Sequence, residues 1–287
     1  MYKSIVTEIV KRQKPKLLVI NASAFSQGNW NLTDEVYLRK WIDNMPMSQN
    51  KLDTVKTIPK NINKDDEKVK DNISDTLYFP LEKYHGNWKD PEAVYTSFVT
   101  RAYMRLSGGG YLKGFYSKTG ITGGRDNLAN IGQPTKEAYV LTDECRAYLK
   151  ELLSYCNKLG IEHVLLLQPP HETQAADKSG LEQIESITKE YGYDFLDLST
   201  DYESIAGIDD SHDFADFEHL NAYGAKKLTA YIGNMAVNQY GIKSDTAKSE
   251  LSRWKKSVKR TKKALKMARE YTDRGEAQVV GEYEAAK

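Results

Sequence analysis

The chain has 287 residues and a mass of 32.6 kDa, room for one large domain or two small ones around a sizeable core. Its 41 Lys and Arg stand against 40 Asp and Glu, a formal net charge of +1, which argues against a dedicated nucleic-acid binder with a net basic footprint. No apolar run approaches the roughly 18–20 residues that cross a bilayer, and two cysteines, Cys145 and Cys156, exclude a disulfide scaffold or a Cys-rich metal site.

From the N-terminus, residues 1–13 read as a short amphipathic helix, with Ile5, Ile9 and Val10 near helical spacing and Lys14-Pro15 as its stop. They hold no continuous apolar core or small-residue cleavage site of a secretory leader. The run Lys16-Leu-Leu-Val-Ile20 reads as a strand buried on both faces, as in a parallel sheet. Residues 33–56 carry helical spacing, with Thr33 as N-cap. Residues 61–71 are charged and read as a solvated loop. An aromatic segment follows at 79–88, and glycine clusters mark 106–135 as irregular.

The second half is more legible. Thr142 predicts a helix N-terminus, Tyr148, Leu149, Leu152, Leu153 and Cys156 an apolar face, and Gly160 the C-terminal stop. Residues 161–167 then read as a buried strand, 181–191 as a helix closed by Gly192, and 193–198 as another strand. Two successive helix–Gly–strand units predict crossovers in a parallel sheet. Residues 222–240 predict a third helix. Residues 246–274 hold eleven Lys or Arg against three acids, a charge of about +8 that leaves about −7 on the rest, and they read as a separate basic helical tail.

The chemistry concentrates at Asp216-x-x-His219-Leu-Asn221-x-x-Gly224. Asn221 is a natural N-cap, so His219 falls in the loop entering a helix, at the strand ends where an open α/β sheet places its ligand crevice. A carboxylate three residues before a histidine bonds Nδ1–H and leaves Nε2 as a general base toward a serine; the spacing alone also fits a surface or capping histidine. Tyr84, His85 and Trp88 suit stacking on sugar rings or plain packing, and His171 either lines the crevice or is structural. His212 and Asp213 form an incomplete metal set, His163 reads as structural, and no phosphate-binding glycine loop occurs. The basic tail suits an anionic polymer, a membrane surface or nucleic acid, or is a solvated face.

The block from Asp216 to Gly224 resembles the last block of SGNH/GDSL-type hydrolases, where it supplies the Asp and His of a Ser-His-Asp triad. Val164-Leu-Leu-Leu-Gln-Pro-Pro-His171-Glu172 resembles the preceding strand and loop. The segment from Tyr78 to Trp88, Lys113-Gly-Phe115, and Asn44-Met45, Ser48, Asn50 and Lys51 resemble a subgroup similar to the teichoic-acid D-alanyl transfer and alginate O-acetylation proteins of the cell surface. The resemblance covers roughly residues 10–245. It implies a three-layer α/β sandwich with a parallel sheet, SGNH hydrolase-like and flavodoxin-like. It implies Ser-His-Asp chemistry without metal or organic cofactor, on a polysaccharide or acyl-ester substrate, beside a membrane-bound O-acyltransferase. It implies an extracytoplasmic or membrane-associated location; the charge balance adds the expectation of no nucleic-acid partner.

The chain departs from that pattern in one respect. No Gly-Asp-Ser or Gly-Ser-Ser turn occurs, and the nearest nucleophile candidate is Ser23, directly after the strand ending at Ile20, though the flanking glycine is missing. In the subgroup that strand resembles a later one, so the chain reads as lacking an N-terminal portion of the family domain, with 1–245 as the domain and 246–287 as the tail. The expected function is an SGNH-like esterase or O-acyltransferase component for cell-surface glycans. The alternatives are a catalytically inactive glycan-binding or scaffold protein of the same fold, and an interaction protein using the tail.

Overall fold

The structure is a computed structural model that describes residues 2–26, 39, 41–57, 77–78, 89–92, 94–95, 99, 102, 112–121, 139–170, 177–217, 219–244 and 248–281. Among the described residues the elements run α1 (Tyr2–Val10), β1 (Leu17–Asn21), α2 (Ser23–Ser26), α3 (Gln49–Thr57), β2 (Ser117–Lys118), α4 (Asp143–Lys158), β3 (His163–Gln168), α5 (Ser179–Glu190), β4 (Asp194–Asp197), α6 (Tyr202–Ala206), α7 (Ala222–Asn238), α8 (Lys248–Asp273) and β5 (Val279–Val280). The fold is mixed α/β.

The local signals behind α4 and α5 act as their chemistry requires. The hydroxyl of Thr142 accepts the Cys145 N–H at 3.2 Å and starts α4. Gly160 and Gly192 follow α4 and α5 with φ of 66° and 77°, left-handed positions that glycine takes without a Cβ penalty. The chain then turns directly into β3 and β4. β1, β3 and β4 form a parallel sheet in the order β1-β3-β4, with Leu17 opposite His163 and Leu165 opposite Asp194. Parallel pairing puts the carboxyl ends of all three strands, at Asn21, Gln168 and Asp197, on one edge.

Side chains of β3 alternate between two apolar clusters, as a period of two dictates. Val164 and Leu166 pack with Val6 of α1, Leu149, Leu152, Leu153 and Cys156 of α4, and Leu181, Ile184 and Ile187 of α5. Leu167 packs on the opposite face with Leu198, Tyr202 of α6 and Phe214, against Leu228 and Ile232 of α7. Helices therefore cover both faces of the sheet. Burial pushes the Cys156 thiol up to about 11, so this residue behaves as a core hydrophobe.

Three expectations change. β1 is not buried on both faces: Ile20 is buried, whereas Val19, on the opposite face, is 40% exposed. The helix expected over 33–56 is interrupted: residues 39 and 41–42 are helical, residues 43–48 around Pro46 leave the helical path, and α3 begins at Gln49; Thr33 lies outside the described residues. The basic tail is not set apart. Ala264 and Ala268 of α8 and Val280 of β5 are buried against Leu112 and Ala222, and β5 pairs antiparallel with β2. The small residues of α8 form an inward face that charge counting conceals. No helix among the described residues is long and apolar enough to cross a membrane.

Leu152→Ala should cost ~2–5 kcal/mol, since it empties a fully buried position, whereas Val19→Ala at an exposed position should cost less than about 1 kcal/mol; urea unfolding of both variants reads the difference. A second expectation concerns α1 and α3. Glu8 accepts from Lys11 and Asn50, each at 2.8 Å, and these bonds, Lys11 first, hold its carboxyl below the usual glutamate range. A depressed folded pKa stabilises above the unfolded value near 4.5, and that contribution is lost as pH falls through the lower folded value. Stability measured against pH should show this acid-side loss in the native chain, and Glu8→Gln should diminish it.

Candidate functional site

Residues 213–217 and 219–221 pair across a turn of the chain. The Asn221 N–H donates to the Asp213 carbonyl at 2.9 Å, the Ala215 N–H donates to the His219 carbonyl at 2.8 Å, and Phe214 bridges Leu220 between them. Phe214 and Leu220 seat the loop on Leu167 and Leu198, at the carboxyl ends of β3 and β4. Asp216 and His219 lie at the tip of this loop.

Asp213 and Asn221 hold the base. Asp213 is fully buried and accepts from the Asp209 N–H at 2.8 Å and from Lys227 Nζ at 2.6 Å, with His212 Nδ1 at 3.0 Å. Its charge is therefore matched inside the protein. Asn221 is also fully buried. Its oxygen accepts from the N–H groups of Tyr223 and Gly224 and caps α7; its amide donates to the carbonyls of His212 at 2.6 Å and Gly120 at 3.1 Å. Gly224 is required by close approach, since a Cβ there would lie 2.5 Å from the Asp213 carbonyl oxygen.

At the tip, one oxygen of Asp216 takes two bonds from His219: the backbone N–H at 2.8 Å and ring Nδ1 at 2.7 Å. An ionised carboxylate only accepts, so Nδ1 carries the hydrogen of this bond, and in the neutral tautomer with that hydrogen the lone pair is on Nε2. The second Asp216 oxygen accepts from Lys118 Nζ at 2.9 Å. Lys118 also stands 3.1 Å from Nδ1, but in this tautomer both groups are donors, so its bond is the one to Asp216. All three side chains are about a third to two-fifths exposed. Ion pairs at such exposure contribute about 0–1 kcal/mol, so the cluster serves geometry rather than stability.

Lys118 carries no signal in the sequence, because it lies 98 residues from Asp216. Its strand is set by distant partners. Thr119 exchanges bonds with Gln278, donating its N–H to the Gln278 carbonyl at 3.0 Å and accepting the Gln278 N–H at 2.7 Å, and the Gly120 N–H donates to Thr272 Oγ1 at 3.2 Å.

Ser23 follows β1 and opens α2. Its N–H donates to Asn21 Oδ1 at 2.8 Å and its hydroxyl accepts from Gln168 Nε2 at 3.3 Å. It makes no hydrogen bond to His219. β3 stands between the strand that leads to Ser23 and the strand that precedes the His219 loop, two strand spacings of about 4.8 Å apart. The structure thus brings Asp216 and His219 together and leaves Ser23 with Gln168. His171, Tyr84, His85 and Trp88 lie outside the described residues. Two positions that carry part of the resemblance, Ser48 and Asn50, bond Glu8 and so help join α3 to α1. Among the described residues no cluster of three His, Cys, Asp or Glu side chains is placed to hold a metal ion.

Protein-family models, curated proteins and solved structures were all compared with the chain, and none matches.

The loop geometry makes Gly224 and Gly233 of the same helix respond oppositely. Gly224→Ala must displace the Asp213 backbone and should cost about 1–3 kcal/mol. Nothing stands within 4 Å of a Cβ at Gly233, so Gly233→Ala should stabilise by ~0.5–1 kcal/mol through helix propensity. Thermal unfolding of the two variants checks the sign of each.

Proposed function

We propose that the chain is an SGNH-like esterase or O-acyltransferase component acting on cell-surface polysaccharide, with His219 as general base and Asp216 as the carboxylate that orients it. The observation that carries this reading is the double bond-acceptance by one Asp216 oxygen, from the backbone N–H and Nδ1 of the same histidine. It orients the ring with Nδ1 toward the carboxylate and leaves Nε2 free to accept a proton. The site lies by the carboxyl ends of a parallel sheet with helices on both faces, where α/β enzymes assemble ligand crevices, and that arrangement suits the SGNH-type sandwich.

In this chemistry a serine hydroxyl attacks the ester carbonyl while Nε2 takes its proton. The imidazolium returns that proton to the departing alkoxide, leaving an acyl-serine. A sugar hydroxyl or water then attacks the acyl-serine, again giving its proton to Nε2, and the serine recovers it on release. No metal or organic cofactor takes part. Ser23 is the candidate nucleophile by its position after β1; engaging His219 requires it to leave Gln168. By their chemistry Tyr84, His85, Trp88 and His171 are the candidate substrate contacts. A membrane-bound O-acyltransferase as partner and an extracytoplasmic or membrane-associated location complete the proposal.

A second reading is a catalytically inactive glycan-binding or scaffold protein of the same fold. The bond from Gln168 to Ser23, in place of one from Ser23 to His219, favours it.

Hydrolysis of p-nitrophenyl acetate and of an acetylated polysaccharide separates the two. Under the first reading, His219→Ala lowers kcat/KM by about a thousandfold or more and Asp216→Asn by ~10²–10⁴-fold. Ser23→Ala removes activity if Ser23 is the nucleophile and leaves it unchanged if another serine serves. A native chain that hydrolyses neither substrate but still binds the polysaccharide supports the scaffold.

A further inference from the structure

The N-terminal half of α8 presents an apolar stripe to solvent. Leu251, Trp254 and Val258 are 41%, 47% and 49% exposed. At helical spacing they fall within a sector of about 60°, and Lys255, Lys259 and Lys262 occupy the next sector of similar width. The body-facing side is different again: Ser257, Ala264 and Ala268 are buried. The helix therefore has three faces, one packed, one apolar and open, and one cationic.

Lys113 and Tyr116, in the segment that leads into β2, extend the pattern. Lys113 Nζ stands 4.6 Å over the Trp254 ring, adding a cation beside the stripe, and Tyr116 a few residues on is 59% exposed. Ten Lys or Arg against three acids occupy α8. A stripe of three large apolar side chains on a helix that is already packed on its other side is not needed for folding.

We infer that this half of α8, with Lys113, docks on an anionic lipid bilayer. A bilayer interface satisfies both exposed faces at once: the apolar stripe enters the acyl boundary, Trp254 sits at headgroup depth, and the lysines reach lipid phosphates with their stems along the apolar surface. A polyanion would neutralise the lysines and leave Leu251, Trp254 and Val258 in water. The helix lies in the interface rather than across it, as its charge demands. β5 follows α8 and pairs antiparallel with β2, so the helix is linked through that strand pair to Lys118. The inference does not depend on the hydrolase reading.

The test is sedimentation of the full chain with vesicles of phosphatidylcholine, alone or mixed with phosphatidylglycerol, with tryptophan emission read in parallel. The proposal expects partition to the mixed vesicles, little to phosphatidylcholine alone, weakening with salt, and a blue shift that Trp254→Phe diminishes while binding persists. Replacing Lys255, Lys259 and Lys262 together by Ala should lower partition by about tenfold or more. Leu251→Gln with Val258→Gln should also lower it at unchanged charge. These positions are exposed, and circular dichroism verifies that each variant keeps its helix content. Equal binding to both vesicle types, or no binding, overturns the proposal. So does an apolar double variant that binds like the native chain. Retention on polyphosphate without vesicle binding assigns the surface to an anionic polymer instead.

Discussion

The carboxamide of Asn221 is fully buried and uses its whole hydrogen-bonding capacity. Two N–H groups of α7 occupy its oxygen, and the carbonyls of Gly120 and His212 take its two hydrogens. One side chain thus joins the start of α7, the segment after β2 and the loop that carries His219. A buried amide with an unmet bond costs about 1–3 kcal/mol per group, so these pieces are held in register by a single shared requirement. The chain continues outward from there: Gly120 also bonds Thr272 of α8, and Thr119 bonds Gln278 before β5. The position of Lys118 beside Asp216 follows from that connection.

Two Asp–His pairs with lysine partners lie close together along the chain, His212 with Asp213 and Asp216 with His219, and their surroundings divide the work. Asp213 has no exposure and is bound by Lys227, His212 and a backbone N–H; removing its partners would strand a charge in the interior, so this pair is structural. Asp216 is partly exposed, and it sits at the tip instead of the base. There the same chemistry contributes little to stability and sets the direction of an imidazole. The difference is one of dielectric surroundings, since the residue types are the same.

The C-terminal helix combines two roles that its charge alone would not separate. Its small residues pack on Leu112 and Ala222, and its lysines and open apolar stripe face solvent. The near-neutral total of the chain is a cancellation between this strongly basic helix and an acidic body, so it says little about which surface any partner meets.

The amino-acid sequence by itself determined what local chemistry can decide. Thr142 and Asn221 as caps, Gly160 and Gly192 as stops, and the short apolar runs that become β3 and β4 each act within a few residues, where backbone geometry and hydrogen-bond supply are sufficient. The pairing of Asp216 with His219 was legible for the same reason, at a spacing of three. Other features depended on contacts between distant segments. The exposure of Val19 depends on which segments cover that face of the sheet, the partner of Ser23 on β3 standing beside it, and the docking of α8 on small residues that meet Leu112 and Ala222. Lys118 reaches the site because β2 pairs with a strand some 160 residues further along. Only the tertiary structure decides such neighbours, because a side chain's local pattern specifies which face it occupies but not which distant surface closes over that face.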